Sequence, residues 1–380
     1  MIGFELNEEH LRFQKAARNF AEKQMKPYAA ELDRRQGKAF DWEIVRRFAR
    51  ENLLGLHVPQ KYGGLGVDVL TSAVVVEELG AACLGITEVI GGTWLATTCL
   101  MLVGNEDQKQ RYLPQVCEEN GKLAGLAVTE PEAGSDIAAI RTRATRKGDY
   151  YLLNGTKSFI TNAGLGGFYV VLATTDPQKR HGGLNAFIVD GEAKGLSLGM
   201  VDDKMGLRAC QTGELIFDKV EVPRENLLGV ENSGFLIAMQ TLDMTRPCLG
   251  ASAVGVARAA FETALAYARE RRQYGRPIIE NQGISFMLAD MATQIDAARL
   301  LTWRACWLVD QGMDSTRASS MCKVFASEMA EKVCSEAIQI LGGNGYTREW
   351  PLEKYLRDAK ALQIYEGTSQ IQRMIISSML

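Results

Sequence analysis

The periodicity of apolar residues changes twice along the chain and divides it into three segments. Up to about Glu119, apolar residues recur mostly at three- and four-residue steps, as on the buried face of helices. Between about Lys122 and Asn226 the pattern becomes short β-rich runs separated by turns that contain Gly and Asp. Long helical periods return beyond Asn232. We therefore predict an α+β multidomain protein with an α-helical domain at 1–121, a β domain at 122–230 and a helix-bundle domain at 231–380.

The middle segment lacks the helices that a parallel sheet needs between its strands. Its apolar runs at 150–153, 168–172 and 186–189 are separated by turns alone. This pattern favours an antiparallel sandwich or barrel over a doubly wound parallel sheet. Neither a G-x-G-x-x-G nor a G-x-x-x-x-G-K-[ST] motif occurs, so the sequence does not support a Rossmann or P-loop nucleotide site.

Charge, cysteines and histidines exclude several classes of function. The 43 basic and 46 acidic residues give a net charge of −3 with no long run of either sign, so we expect no nucleic-acid partner. Eight cysteines are scattered singly, which predicts buried thiols in a reducing compartment and no metal site. His10, His57 and His181 lie far apart without a G-x-S-x-G element, so we expect packing or surface histidines rather than a hydrolase triad.

The N-terminus carries acidic residues where an export signal would be basic. We expect a cytoplasmic protein, or one in the mitochondrial matrix if the chain is a processed form. The longer uncharged stretches at 89–105 and 158–175 are interrupted by Thr, Gly and Asn, so we expect buried elements and no membrane insertion.

Two segments of the β domain carry unusual residues. The segment at 126–136 runs from a strand into a turn whose backbone N–H groups and hydroxyls can receive a flavin edge or a pyrophosphate. The segment at 154–162 joins an Asn-Gly turn to an aromatic residue and a hydroxyl that can face a flavin ring. An ordinary strand-to-loop transition also explains the sequence at 126–136, and an ordinary β-hairpin also explains the sequence at 154–162.

Two further segments lie at predicted helix ends. At 270–277, Arg271 can pair with a phosphate where a Gly-x-Pro pattern stops the helix. At 339–346, a helix ends in glycines that allow a ligand to approach the backbone. Helix capping alone accounts for either segment equally well.

Glu366 is the candidate catalytic carboxylate. Thr368 or Ser369 is a good N-cap for an amphipathic terminal helix, which places Glu366 just before a helix start and beside apolar residues. A carboxylate that removes a carbon-bound proton should be partly desolvated, which raises its pKa above about 4.3. We expect a raised pKa at Glu366 and no second carboxylate nearby.

Five segments, in this order, resemble the acyl-CoA dehydrogenase family, and the C-terminal half is similar to its medium-chain members. They lie at 129–136, 154–162, 245–247, 339–346 and 365–373. The resemblance covers nearly the whole chain. It implies a helical domain, a middle β domain and a C-terminal four-helix bundle, with FAD between the last two.

The resemblance also implies contacts to FAD. Those expected near the flavin are Leu126, Ala127, Val128, Thr129, Ser135, Phe159, Ile160 and Thr161. Those expected at the ADP portion or completing that site are Arg271, Gln273, Tyr274, Gln282, Gln339, Gly342, Gly343, Thr368 and Gln370. The ADP contacts cross a subunit boundary in the family, which implies a homotetramer built as a dimer of dimers.

The resemblance makes Glu366 the base that removes the α-proton of an acyl-CoA, because Thr245 stands where some relatives carry that glutamate. The expected product is the trans-2-enoyl-CoA, with hydride passing to flavin and electrons to electron-transferring flavoprotein. The expected substrate contacts are Ser135, Asp243, Arg246, Gly367 and Trp94.

Gly91, Gly92, Thr93 and Trp94 stand where medium-chain relatives have a different set, including a smaller residue near Trp94. We therefore expect a reshaped pocket for a short- to medium-chain acyl group, branched and cyclic ones included. The segment at 86–90 lacks the arginine that glutaryl-CoA dehydrogenases use for a distal carboxylate, which disfavours dicarboxylic substrates. The alternatives are an enoyl-CoA reductase running the reverse reaction and a non-catalytic acyl-CoA-binding or assembly protein. An acyl-CoA oxidase is less favoured, because those relatives usually carry a further C-terminal domain.

Overall fold

The computed structural model describes residues 5–35 and 40–380. The first four residues, which form part of the segment behind the export prediction, lie outside this range. The N-terminal part is helical, as predicted, and its α-helices are α1 (Glu8–Phe20), α2 (Ala29–Arg34), α3 (Trp42–Arg50), α4 (Val69–Val103) and α5 (Glu106–Cys117).

Helix α4 is the long central helix of this part. Its first turn is capped by Asp68, whose side chain accepts a hydrogen bond from the N–H of Thr71 at 2.8 Å. The helix bends at Cys83, where the backbone leaves helical geometry (φ −165°, ψ 107°). Most of its residues are buried on every side, so α4 can contribute its side chains to a site between the domains.

The middle part is a β domain whose strands form one sheet. The strands are β1 (Leu123–Ala127), β2 (Arg143–Lys147), β3 (Tyr150–Thr161), β4 (Gly166–Thr174), β5 (Leu184–Asp190), β6 (Leu196–Val201), β7 (Thr212–Pro223) and β8 (Leu227–Leu228). Their order is β6-β7-β3-β2-β4-β5-β8, with β1 added beside β4.

Most neighbouring strands of this sheet are antiparallel, as the sequence predicts. The exceptions are β1, which runs parallel to β4, and a single parallel bridge between β2 and β4. The core includes Tyr151 and Phe187, whose ring centroids are 5.0 Å apart.

The C-terminal part consists of α6 (Gly234–Glu270), the short hairpin β9 (Arg272–Gln273) and β10 (Arg276–Pro277), α7 (Gln282–Asp310), α8 (Thr316–Leu341), α9 (Leu352–Ala361) and α10 (Ser369–Ser378). Helices α6, α7 and α8 pack on one another, α9 packs on α8 and α6, and α10 packs on α8. The predicted apolar stripe of α7 faces this core, since Leu288, Met291, Ile295 and Ala298 are buried there. The predicted bundle is confirmed.

Helices α4 and α6 are long and apolar enough, by length and composition alone, to cross a membrane. The stretch 89–105 lies mostly in α4 and the stretch 158–175 runs from the end of β3 through β4, so both belong to largely buried elements as expected, whereas α6 lies outside both stretches. Within the protein, 83% of the most apolar window of α4 and 67% of that of α6 are buried. Packing between the two helices therefore accounts for most of this apolar surface.

Buried ion pairs connect the helical parts. Glu77 and Glu78 of α4 receive Arg258 of α6, and Arg299 of α7 also pairs with Glu77. The Asp358 carboxylate of α9 accepts the backbone N–H of Leu207 at 2.7 Å, which ties the bundle to the β domain. Breaking one partner of such a buried pair is expensive, so these contacts fix the relative positions of the elements that form the site.

Candidate active site

A cavity of about 350 Å³ lies between α4, α6 and the segment that precedes α10. Its wall is mostly apolar and contains four carboxylates, Glu366, Glu88, Asp68 and Asp310. Trp94 also lies in the wall, as the sequence predicts. Other lining residues are His57, Thr87, Gly91, Met101, Met244, Thr245, Cys248 and Leu249.

Glu366 lies in a tight turn that is held from behind. Its φ of 53° and the φ of 90° at Gly367 both fall in the left-handed region. Arg246 donates to the Glu366 carbonyl at 3.2 Å, and Lys323 donates to the Gly367 carbonyl at 2.6 Å. The Gln372 amide donates to both carbonyls, at 3.2 and 3.0 Å. Three buried donors therefore fix a backbone conformation that a glutamate rarely adopts.

The terminal helix begins as predicted. The Thr368 hydroxyl accepts the N–H of Ile371 at 3.2 Å, and α10 starts at Ser369. This N-cap fixes the end of the Glu366 turn. Capping is thus a structural role of Thr368, a residue for which the resemblance implies a contact to FAD.

The Glu366 carboxylate faces the cavity. The Thr245 hydroxyl donates to its Oε2 at 3.1 Å. Burial raises the pKa of Glu366, while the Thr245 hydrogen bond and the nearby charges of Arg246 and Lys323 oppose that rise. The predicted direction of the shift is confirmed. The arrangement provides a poorly solvated carboxylate in a fixed position, which suits proton removal from carbon.

A second carboxylate, Glu88, lines the same cavity, so the expectation of a single carboxylate is wrong. Burial raises the pKa of Glu88 to about 8, and the charge of Glu366 adds to this rise. The Tyr365 hydroxyl faces Glu88 closely enough to lower that pKa, but outside the geometry of a standard hydrogen bond. The two carboxylates are far apart in sequence and meet because α4 passes beneath the Glu366 turn.

Trp94 is held firmly in the wall. Its indole N–H donates to the carbonyls of Leu53 and Leu54 at 3.2 and 3.1 Å, and its ring meets that of His57 edge to face at a centroid distance of 4.9 Å. His57 is hydrogen-bonded to Thr97 at 3.0 Å, and burial lowers its pKa to about 4. A neutral imidazole thus forms part of the cavity wall, which spacing among the histidines did not predict.

The Asp243 carboxylate is already occupied by protein groups. It accepts Arg246 at 2.7 Å and the Thr316 hydroxyl at 2.8 Å. Neither Asp243 nor Arg246 is among the lining residues of the cavity, and Ser135 lies exposed on a loop away from it. The structure therefore places Asp243 and Arg246 behind the Glu366 turn, where they support it.

The segments predicted to face flavin lie side by side in the β domain. The Ser158 N–H donates to the Thr129 carbonyl at 2.9 Å, and the buried Lys157 donates to the Val128 carbonyl at 2.9 Å. Phe159 sits at a bulge of β3 with a φ of 58° and is 66% exposed. The side chains of Ala127 and Ile160 point into the β core, so only their backbone groups are available to a ligand. The neighbouring Leu126 is half-buried.

Thr161 connects this face to the cavity helix. A Cβ placed on Gly92 of α4 would lie 2.4 Å from the Thr161 Cγ2 and 3.0 Å from the Asn162 Nδ2. The Asn162 amide donates to the carbonyl of Val89, also on α4, at 3.0 Å. Only glycine permits this approach, which sets the β-domain face against the cavity.

The residues predicted to hold ADP lie at one end of the bundle. The Asn344 amide, which follows Gly342 and Gly343, donates to the Tyr267 hydroxyl at 2.9 Å, so the end of α8 lies beside the end of α6 that leads to Arg271. These residues are exposed, with Tyr274 at 98%. The others that are exposed are Gln273, Gln282, Gln339 and, on α10, Gln370.

This donor set fits FAD. A guanidinium, several amides and open glycine backbone suit a pyrophosphate and an adenine, since a Cβ on Gly342 or Gly343 would meet nothing within 4 Å. The outward ring of Phe159 suits a flat ring system.

Comparisons with known proteins agree with this architecture. Family models for the N-terminal, middle and C-terminal domains of acyl-CoA dehydrogenase match residues 7–120, 125–220 and 232–380. The chain is 42% identical over 376 residues to an acyl-CoA dehydrogenase of Bacillus subtilis, covering 99% of this chain and 98% of that one.

Solved structures of similar proteins have the same overall fold. The butyryl-CoA dehydrogenase of Megasphaera elsdenii superposes with a TM-score of 0.96 at 40% identity, over 100% of this chain and 99% of that chain. A chain from the structure described as the electron transferring flavoprotein of Acidaminococcus fermentans gives a TM-score of 0.96 at 41% identity, with the same coverage.

The fold and these matches define an oxidoreductase of the flavoprotein class. More particularly, the chain belongs to the acyl-CoA dehydrogenase family.

Sequence reasoning missed three residues of this site, His57, Lys323 and Gln372, and considered Glu88 only as another carboxylate, with Asp243, in case Glu366 is not the base. One signal for Glu88 was present, because it is the only charged residue in the segment 79–103. A lone charge in so long an apolar helix points to a cavity or a buried pair. No comparable signal marks Lys323 or Gln372. Their side chains bind the backbone carbonyls of the Glu366 turn, which come near them only in the folded protein.

Proposed function

We propose that this protein oxidises an acyl-CoA thioester to the trans-2-enoyl-CoA, with Glu366 as the base that removes the α-proton. The observation that carries the proposal is the Glu366 carboxylate, which faces a mostly apolar cavity with a raised pKa and is positioned by Thr245. A base in this setting is activated by poor solvation, and the Thr245 hydrogen bond orients it.

The Glu366 turn also supplies a donor for the thioester. Within residues 5–35 and 40–380, no protein acceptor receives the Glu366 N–H. Arg246, Lys323 and Gln372 bind the carbonyls of the turn, so its N–H groups keep a fixed direction. A preorganised N–H on the thioester oxygen stabilises the negative charge that develops as the α-proton leaves.

Bound FAD supplies the acceptor for the hydride that leaves the β-carbon. The residues that would hold it are those of the β-domain face around Phe159 and Thr129, together with Arg271 and the glycines after α8. Because the latter group is exposed in one chain, we propose that a second copy completes the cofactor site in a homotetramer.

The acyl group is proposed to be short to medium in length. A cavity of about 350 Å³ lies at the small end of ligand pockets, and Trp94 is locked into its wall by two hydrogen bonds. Similarity to butyryl-CoA dehydrogenase supports the same range. Electron-transferring flavoprotein is the proposed electron acceptor, supported by the likeness to the Acidaminococcus fermentans structure.

Anaerobic titration of the purified protein with acyl-CoA and enoyl-CoA thioesters tests this proposal. We expect a yellow protein that releases FAD on acid treatment and whose flavin absorbance bleaches with saturated short-chain thioesters. Release of FMN, or bleaching by no thioester in the panel, would contradict the proposal. Reoxidation of the reduced protein by an enoyl-CoA would measure how readily the reverse reaction runs.

A further inference from the structure

Buried acidic side chains of this protein are paired with cations. Among the described residues, each acidic residue that is almost fully buried has a basic partner: Asp33 with Arg357, Glu77 with Arg258 and Arg299, Glu78 with Arg18 and Arg258, Glu130 with Lys157, and Asp358 with Lys354. This is the usual requirement for a carboxylate removed from water.

Glu88 is half-buried at the cavity and lacks such a cation. Between residues 5–35 and 40–380 it has no cationic partner, and the group that faces it is the Tyr365 hydroxyl, which lowers its pKa from outside the geometry of a standard hydrogen bond. The carboxyl group faces the cavity that also holds Glu366. A carboxyl group that faces the Tyr365 hydroxyl but no cation therefore keeps hydrogen-bonding capacity directed into the acyl cavity.

The helix clears space for this carboxyl group. Gly91 lies one turn beyond Glu88, and a Cβ at Gly91 would come within 3.3 Å of the Glu88 Oε2 while meeting no other residue outside the local helix backbone. Any larger residue would press on the carboxyl group and fill the space before it. Gly91 thus keeps the Glu88 carboxyl accessible from the cavity.

Several other polar groups of the cavity are already engaged, whereas His57 Nδ1 has no partner among the described residues. Asp310 accepts the backbone N–H groups of Val69 and Leu70 at 2.7 and 3.1 Å, and Asp68 caps α4. The Thr87 hydroxyl donates to its own helix at Cys83. These three groups do not compete with Glu88 for a donor on a ligand, and replacement of Glu88 distinguishes its contribution from that of His57 Nδ1.

On the basis of the proposed function, we propose that Glu88 recognises a hydrogen-bond donor, a hydroxyl or an ammonium group, carried by the acyl chain beyond its β-carbon. The position follows from the chemistry, because Glu366 acts at the α-carbon and the β-carbon must remain free to lose hydride. A site built around a polar contact discriminates strongly against analogues that lack the polar group, because its own group is then left unpaired. The preferred substrates are therefore hydroxyacyl or aminoacyl thioesters rather than plain alkyl ones.

Binding to the FAD-loaded Glu366→Gln protein tests this inference separately from catalysis, since oxidation of bound thioesters is slowed there by about 100-fold or more. Dissociation constants are measured by calorimetry for 4-hydroxybutyryl-CoA, 4-aminobutyryl-CoA and the similarly sized pentanoyl-CoA, and for 5-hydroxypentanoyl-CoA against hexanoyl-CoA. We expect at least one polar thioester to bind about tenfold or more tighter than its alkyl match. Equal or weaker binding of every polar thioester would overturn the inference.

The double variants Glu366→Gln/Glu88→Leu and Glu366→Gln/Glu88→Gln identify the group responsible. Leucine should abolish or reverse the polar preference. Glutamine should keep the preference for a hydroxyl while losing any preference for an ammonium group. A polar preference that survives in the leucine variant would assign recognition to another residue and overturn the proposal. Flavin reduction by the wild-type protein tests the proposed function separately, so the two failures are distinguishable.

Discussion

Two of the four carboxylates of the cavity, Glu366 and Glu88, are held in contrasting ways. Glu366 has a hydroxyl on its carboxylate and cationic side chains behind its turn, whereas Glu88 stands on a helix without a cation beside it. Burial raises the pKa of both, but only at Glu366 do nearby positive charges offset it. The contrast indicates that Glu366 is suited to change its charge during a reaction. Glu88 is suited to contact a ligand, either as the protonated acid or as a carboxylate paired with a cation of the ligand.

Glu366→Gln should produce the largest effect. The amide keeps the shape of the side chain and its contact with Thr245 but cannot accept a carbon-bound proton, so flavin reduction should slow by about 10²- to 10⁴-fold or more. Stopped-flow absorbance at saturating thioester measures the rate. The control is Glu349→Gln on the exposed surface, which should reduce flavin at the wild-type rate. A Glu366→Gln protein within about tenfold of wild type would move the base elsewhere.

Lys323→Met sharpens the comparison by removing a cation from the Glu366 side. Lys323 lowers the pKa of Glu366, so its loss should raise that pKa further, and the low-pH limb of the rate of flavin reduction should shift to higher pH. The rate should also fall, by about 10- to 100-fold, because the turn loses a donor on Gly367. A lower rate with an unchanged pH profile would mean that Lys323 acts through packing alone.

The domain order and the Glu366 turn could be predicted from the sequence, whereas the positions of Lys323 and Glu88 could not, for a physical reason. The Glu366 turn could be predicted because its N-cap at Thr368 is local, and the domain order could be predicted because apolar periodicity is local. Lys323 and Glu88 could not be placed in this way. Their partners lie far away in sequence, and only the packing of α8 and α4 against the turn brings them there.

Glu88→Leu should change how stability depends on pH. The pKa of Glu88 is raised in the folded protein from about 4.5 to about 8, so the folded state binds the proton more tightly and stability falls as pH rises through this window. Leucine removes this loss. The free energy of unfolding of the variant, relative to that of the wild type, should therefore be about 1–3 kcal/mol higher at pH 8 than at pH 5. Urea unfolding at the two pH values measures the difference. An equal effect of the substitution at both would show that Glu88 is solvated.

Trp94→Ser should have the smallest effect, and one confined to the acyl tail. The smaller side chain opens the wall beside His57, so kcat/KM should shift toward longer straight chains, by roughly 1–3 kcal/mol per added methylene at most. Assays with a series of straight-chain thioesters measure the profile. Trp94→Phe is the matched control, since it keeps most of the bulk but loses the hydrogen bonds to Leu53 and Leu54. The same chain-length profile in the serine variant and wild type would place the acyl tail elsewhere.

Hydrogen exchange at the α-carbon tests the role of Glu366 most directly. A 3-thiaacyl-CoA carries sulfur at the β-position and has no hydride to lose there, so proton removal is isolated from oxidation. Incubated anaerobically in D₂O with the FAD-loaded protein, this thioester should gain deuterium at its α-carbon, as measured by mass spectrometry. With Glu366→Gln the exchange should slow by about 100-fold or more. Exchange at the wild-type rate in that variant would contradict the assignment and make Glu88 the next carboxylate to replace.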